Sequence, residues 1–250
     1  MFAYNFIGGL MKIISHKNIT SDYNTFIIST VSNPVIDGVL FDILMTKDKR
    51  ILIFTSSENY ADSIENIQGT AYQNIKGFDT IPLEVVLPKF IKSNQKIILN
   101  LLPIISNPFA NDTFQSINKL NEDYVFAVKS IVEKFPSINF YLCSAYDNLV
   151  YQIKRITPNK KIGFVINNLS TTYIDVDFYI FTVNILNEQI INQQLSLDKE
   201  VMIYITNCTD MNTIMKDNKK RSTLGTINIP SLNKVYFISN YPELFWKLFN

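Results

Sequence analysis

Short apolar runs rich in β-forming residues alternate with stretches of helical periodicity from one end of the 250-residue chain to the other. Strands are expected at Lys12 to Ser15, Gly38 to Leu44, Lys96 to Leu102, Ile138 to Cys143, Ile162 to Ile166, Phe178 to Phe181, Val201 to Thr206 and Val235 to Ile238, with Ile51 to Phe54 extending the second. Several are apolar throughout, as parallel strands covered on both faces should be. Between them, Val125, Val128, Val132 and Phe135 recur at helical spacing until Pro136 stops the pattern. Leu149, Val150, Ile153 and Ile156 do the same between Asp147 and Pro158, and both segments read as amphipathic helices. At the end, Leu244, Phe245, Leu248 and Phe249 form an apolar stripe behind Pro242, which suits a first helical turn. No Pro/Gly/Ser-rich linker divides the pattern, so residues 1–250 read as one domain. About eight strands alternating with helices predict an α/β fold, a (β/α)8 TIM barrel, with a doubly wound open sheet as the rival.

Composition narrows the function classes. With 47% hydrophobic and 18% charged residues the chain is too apolar to be disordered. Its 23 Lys and Arg against 22 Asp and Glu leave a net charge of +1, so no general attraction to nucleic acid or anionic lipid is expected. The run Lys216 to Arg221, interrupted by Asp217 and Asn218, reads as a solvated loop. Two cysteines, Cys143 and Cys208, and a single histidine, His16, exclude zinc fingers and Cys/His clusters. Both thiols read as buried, apolar groups of a reducing compartment. No run reaches the roughly 18 apolar residues of a membrane span. Met1 to Met11 lacks the basic start and cleavage site of a signal peptide, so a soluble cytoplasmic protein is expected. The aromatic stretch Tyr173 to Phe181 and the Phe245-Trp246 pair read as core before partner surface.

In such a barrel, reactive groups sit at the C-terminal ends of strands. The polar residues there are few: His16, Asp42, Thr55, Asn100, Ser144 and Asn207. Of these, only His16 and Asp42 titrate in a catalytically useful range.

The run Ile13-Ile14-Ser15-His16-Lys17 with Tyr23-Asn24-Thr25 resembles the opening of glycerophosphodiester phosphodiesterases, where a strand ends in His-Arg and Glu-Asn-Thr starts the next helix. Asp37 to Asp48 looks like that family's Gly-x-Glu-x-Asp strand and Thr-Lys-Asp turn, and Ile81 to Leu87 its Ile-Pro-x-Leu-Glu-x-x-Leu helix start with one residue missing. Ser144 to Leu149 is similar to its Ser-Phe-Asp-x-x-x-Leu, Ile205-Thr206-Asn207 to its Trp-Thr-Val-Asn, and Ser239 to Pro242 to its closing Thr-Asp-x-Pro. The motifs fall in the family's order from about Lys12 to Leu248, which implies a phospholipase-C-like phosphodiesterase barrel.

The same resemblance marks departures. Family members hold Ca2+ or Mg2+ with three carboxylates, since hard cations take anionic oxygens. Here Asp42 stands at one matched position, whereas Leu40 and Leu102 stand at the other two and Ile104 replaces a Lys. A second acid/base histidine is implied after Ile51 to Phe54, where this chain has Thr55-Ser56. General acid or base assistance is worth roughly 10²- to 10⁴-fold and a cation several kcal/mol. The Arg beside the first histidine is Lys17, which keeps the charge but loses the planar fork.

The resemblance therefore implies a pseudoenzyme in which His16 is a relic of the acid/base pair and Asp42 the single remaining metal-ligand position, with no metal bound. Asp42 is expected to pair with Lys17 or another pocket cation. Lys17 and Asn207 are the candidate substrate-binding residues, for a small phosphate-bearing ligand at the barrel mouth. A structural role with a protein partner or through self-association remains open. The alternative is an active Ca2+- or Mg2+-dependent hydrolase of glycerophosphodiesters with relocated ligands, for which Glu58, Asp62 and Asp79, in the loop region between Thr55 and Pro82, are the candidates.

Overall fold

A computed structural model describes residues 12–16, 23–55, 60–76, 79–104, 114–168, 174–182, 185, 188–205, 233–240 and 242. Eight strands run parallel: β1 (Lys12–His16), β2 (Gly38–Met45), β5 (Lys96–Leu101), β6 (Asn139–Ser144), β7 (Lys161–Ile166), β8 (Phe178–Thr182), β9 (Glu200–Ile205) and β10 (Val235–Ser239). Each pairs with the next in that order, and β1 pairs with both β10 and β2, so the sheet closes on itself. The open-sheet rival is thereby excluded. Helices α1 (Tyr23–Ser32), α4 (Phe114–Lys134), α5 (Asp147–Ile156) and α6 (Glu188–Ser196) lie in the connections.

Each of the eight expected barrel strands forms, with ends shifted by a residue or so. Ile51 to Phe54 does not extend β2. It becomes β3 (Ile51–Thr55), which folds back antiparallel on β2 and carries β4 (Asp79–Pro82) on its far side. Lys49, at φ 63, occupies the turn between β2 and β3, and a left-handed residue there reverses the chain and ends the parallel direction. The segment between Thr55 and Pro82 is thus more than a loop, since it holds α2 (Tyr60–Gln68) and β4, while α3 (Leu83–Val86) begins only after Pro82. The helix expected behind Pro242 lies outside the described residues, as do Lys216 to Arg221 and Cys208. No helix among the described residues is long and apolar enough to cross a membrane.

Strand side chains alternate between faces, and this period of two sorts the core into two layers. Odd-numbered residues of β1, β2 and β5, such as Ile13, Phe41 and Leu99, face outward and pack with Val125, Val128, Leu149 and Ile153 of α4 and α5. Even-numbered Ile14, Leu40 and Ile98 point into the barrel, with Cys143, Ile180, Met202 and Ile238 from the other strands. Phe178, Tyr179 and Phe181 are all buried, so this part of the aromatic stretch is core, while Tyr173 lies outside the described residues. One glycine is dictated by packing: a Cβ on Gly163 would lie 2.2 Å from the Phe178 ring, its register neighbour across β7 and β8.

The barrel is polar at both ends. At the N-terminal end, Lys96 donates to Glu200 at 2.9 Å and to the Tyr141 hydroxyl, with its ammonium 4.2 and 4.4 Å from the Tyr141 and Tyr236 ring centres. Burial lowers the Lys96 pKa against the opposing pull of Glu200, and burial with the nearby Glu200 charge raises those of Tyr141 and Tyr236. Polar plugs at this end of such barrels serve stability.

Candidate functional site

The inward parity that places Ile14, Leu40 and Ile98 in the barrel also fixes which residues come next on that face. Two residues further along each strand, the chain has turned a full period and reaches the C-terminal mouth, where it delivers His16, Asp42 and Asn100. The same spacing from Val165, Ile180, Met202 and Ile238 delivers Asn167, Thr182, Tyr204 and Asn240. A cavity of about 660 Å³ opens there, its walls including Leu40, Leu102, Ile64 of α2, Val165 and Ile180.

His16 and Asp42 meet at 3.3 Å through Nε2 and Oδ2, with side chains 12% and 18% exposed. Asp42 and Asn100 are register neighbours on β2 and β5, and the Asn100 amide donates to the other carboxylate oxygen, Oδ1, at 2.6 Å. On the far side of the imidazole, Nδ1 lies 2.9 Å from Asn240 Oδ1 and 2.9 Å from the Tyr204 hydroxyl. The Tyr204 ring stands edge-on to the imidazole. In the protonated ring both nitrogens donate, Nε2–H to Asp42 and Nδ1–H toward Asn240 and Tyr204. Burial opposes the ring's charge, but the hydrogen bond and charge of Asp42, helped by Asn240, outweigh it and raise the His16 pKa above its ordinary 6.5. Burial and the Asp42 charge push the Tyr204 hydroxyl and the Cys143 thiol upward, which keeps both neutral.

The partner that the structure gives Asp42 is His16. Lys17 and Asn207, the candidate ligand-binding residues, lie outside the described residues, as do Glu58 and the side chains of Asp62 and Asp79. Ser144 ends its strand but faces the helix layer, fully buried, where its hydroxyl donates to the Leu101 carbonyl at 2.8 Å. Thr55 ends β3, outside the ring of eight. Tyr204 and Asn240 were missed by sequence reasoning. The signal existed, because each sits two residues beyond an inward apolar position of its strand.

The described residues do not fit the divalent cation that the family resemblance implies. A hard cation takes six or more oxygens, and Asp42 is the one carboxylate among the described residues lining the cavity. Both its oxygens are engaged by His16 and Asn100, and Leu40 and Leu102 supply hydrocarbon beside it. Among the described residues no three His, Cys, Asp or Glu side chains gather in a way that could hold a metal.

No protein-family profile matches the chain, and no functionally curated protein does. Solved structures do match. A phosphodiesterase from Oleispira antarctica, in complex with the product sn-glycerol-3-phosphate, superposes with a TM-score of 0.68 at 14% identity, over 94% of this chain and 95% of that one. A glycerophosphodiester phosphodiesterase from Parabacteroides distasonis gives 0.68 at 16% identity, over 97% and 98%. At these identities the likeness establishes the fold, a (β/α)8 barrel of the kind these enzymes share.

Proposed function

We propose that this chain is a divergent member of the glycerophosphodiester phosphodiesterase family that no longer hydrolyses phosphodiesters and is retained to hold a small phosphate-bearing ligand at the barrel mouth. The observation that carries the reading is the mutual satisfaction of His16 and Asp42. A general acid or base needs a ring nitrogen within reach of the substrate, whereas Nε2 is spent on Asp42 and Nδ1 on Asn240 and Tyr204. For a metal, Asp42 would be a lone carboxylate among the described lining residues, with Leu40 and Leu102 as hydrocarbon in the same wall. The order of motifs along the sequence and the shared barrel support the family, and the roomy cavity supports a ligand. Lys17, directly after β1, supplies a positive charge for the phosphate.

The test is turnover of glycerophosphocholine, followed by phosphorus NMR with Ca2+, Mg2+, Mn2+ or EDTA, beside a His16→Ala control. No turnover above the control is expected with any metal. Metal-dependent turnover lost in His16→Ala would establish the active enzyme with relocated ligands instead. Glycerol 3-phosphate binding by calorimetry should weaken roughly tenfold or more in Lys17→Ala, the loss of one charge-assisted hydrogen bond of about 1.5–3 kcal/mol. Unchanged affinity would take Lys17 out of the ligand's contacts, and no binding to the unaltered chain would leave a structural or assembly role.

A further inference from the structure

We propose that the barrel is two copies of one four-strand unit, β1-β2-β5-β6 and β7-β8-β9-β10, each locked at its N-terminal end by the same aspartate latch, and that the Lys96–Glu200 pair clasps the two units together while each opens as a body of its own. The latches are alike bond for bond. Ile13 N–H donates to Asp37 Oδ2 at 2.7 Å, Asp37 N–H returns a bond to the Ile13 carbonyl at 2.7 Å, and the Asp37 carbonyl accepts from Lys96 N–H at 2.9 Å. Four strands further round the ring, Ile162 N–H donates to Asp177 Oδ2 at 2.8 Å, Asp177 N–H to the Ile162 carbonyl at 2.8 Å, and Glu200 N–H to the Asp177 carbonyl at 3.1 Å. One aspartate thus fastens β1, β2 and β5, and the other fastens β7, β8 and β9. Ile13 and Ile162 are buried, so their N–H groups depend on these carboxylate oxygens.

Barrel closure alone does not dictate this likeness. The register repeats at every second strand, where Ile14 pairs with Gly38, Ile98 with Tyr141, Gly163 with Phe178 and Met202 with Tyr236. The residues just before the second member of each pair are Asp37, Phe140, Asp177 and Val235. Aspartate stands at the first and third steps, and an apolar residue followed by tyrosine at the second and fourth, so the chemistry is two-fold on a register that would allow four. Other matched places agree. Lys12 pairs with Tyr236 as Lys161 pairs with Tyr141, Phe41 matches Phe181, and buried Ser144 matches buried Ser239. Lys96 and Glu200 are matched places too, one on each unit. Their opposite charges turn what would be a like pair into an ion pair at 2.9 Å, with the matched Tyr141 and Tyr236 rings beside the ammonium. The seam between the units runs through the mouth: Asp42, itself held by Asn100, reaches His16 from the same unit, whereas Tyr204 and Asn240 reach it from the other.

Native proteins open in cooperative blocks that often coincide with supersecondary units. Hydrogen exchange of the full chain, followed peptide by peptide by mass spectrometry, tests the division with Asp37→Ala and Asp177→Ala. A buried N–H left without its acceptor should speed exchange roughly 5- to 150-fold. The rise is expected in β1, β2 and β5 for Asp37→Ala and in β7, β8 and β9 for Asp177→Ala, with the opposite unit unchanged. Equal acceleration of all eight strands by either variant would show a single cooperative barrel and overturn the proposal, as would no acceleration in the latched strands. If an alanine variant does not fold, Asp37→Asn and Asp177→Asn, which keep an oxygen for the strand N–H, are judged by the same pattern at a smaller rise. Lys96→Met should speed exchange in both units, and a rise confined to one of them, or none, would remove the clasp.

Discussion

Asp42→Asn isolates the contact on which the site is built. The change keeps shape and lets the position-42 side chain still accept a hydrogen bond, but it removes the charge 3.3 Å from His16 Nε2. At that distance the gross attraction is about 5 kcal/mol with an effective dielectric of 20. The net loss is smaller, about 1.5–3 kcal/mol for a charge-assisted hydrogen bond. The sign comes from linkage. His16 has its pKa raised in the folded protein above its ordinary 6.5, so the stability it contributes is fully present below 6.5 and is lost as pH rises through the folded value. Asp42→Asn should therefore cost about 1.5–3 kcal/mol at about pH 5.5, where both partners are charged, and measurably less well above the titration, where the neutral imidazole still donates to the carboxylate. With the Asp42 charge gone, burial dominates at the ring, and its midpoint should move acidward. Because His16 is the chain's one histidine, its imidazole C–H proton resonance reports the titration without assignment work. Urea unfolding at acid and alkaline pH reports the energy. A midpoint unmoved by the substitution, or an equal loss of stability at both pH values, would refute the ion pair as the organiser of the site.

Two further outcomes test the scaffold. Gly163→Ala would drive a methyl to 2.2 Å from the fully buried Phe178 ring, and an overpacking cost of about 1–3 kcal/mol should appear in the urea midpoint; an unchanged midpoint would mean that the ring moves freely. Lys96→Met leaves Glu200 part-buried without its 2.9 Å partner. A loss of about 3–5 kcal/mol is expected at neutral pH, and Lys96→Met with Glu200→Gln should recover part of it, which thermal and urea melts would show.

The family motifs were readable residue by residue, and so were the departures. Leu40 and Leu102 stand where the family resemblance implies carboxylates, and both can be read without coordinates. What the reading placed poorly was the stretch from Ile51 to Pro82. Apolar runs look alike whether they enter a barrel or double back beside it, and Ile51 to Thr55 carries no local mark of its antiparallel pairing. Its turn is set by Lys49 at positive φ, a residue type that gives no warning of that conformation.

Local sequence dictates the alternation of strands and helices, the parity that makes one face of each strand inward, and the hydrocarbon of Leu40 two residues before Asp42. Each depends on residues within a few positions of one another, where the chain's own geometry decides the outcome. Which groups meet His16 is settled by the closed barrel alone. Tyr204 and Asn240 lie 188 and 224 residues away in sequence, and they reach the imidazole because β1 closes the sheet between β10 and β2. That closure is a cooperative property of eight strands, so no short segment could announce it. With it, a histidine and an aspartate that read separately from the sequence become a single part-buried pair, joined by one hydrogen bond.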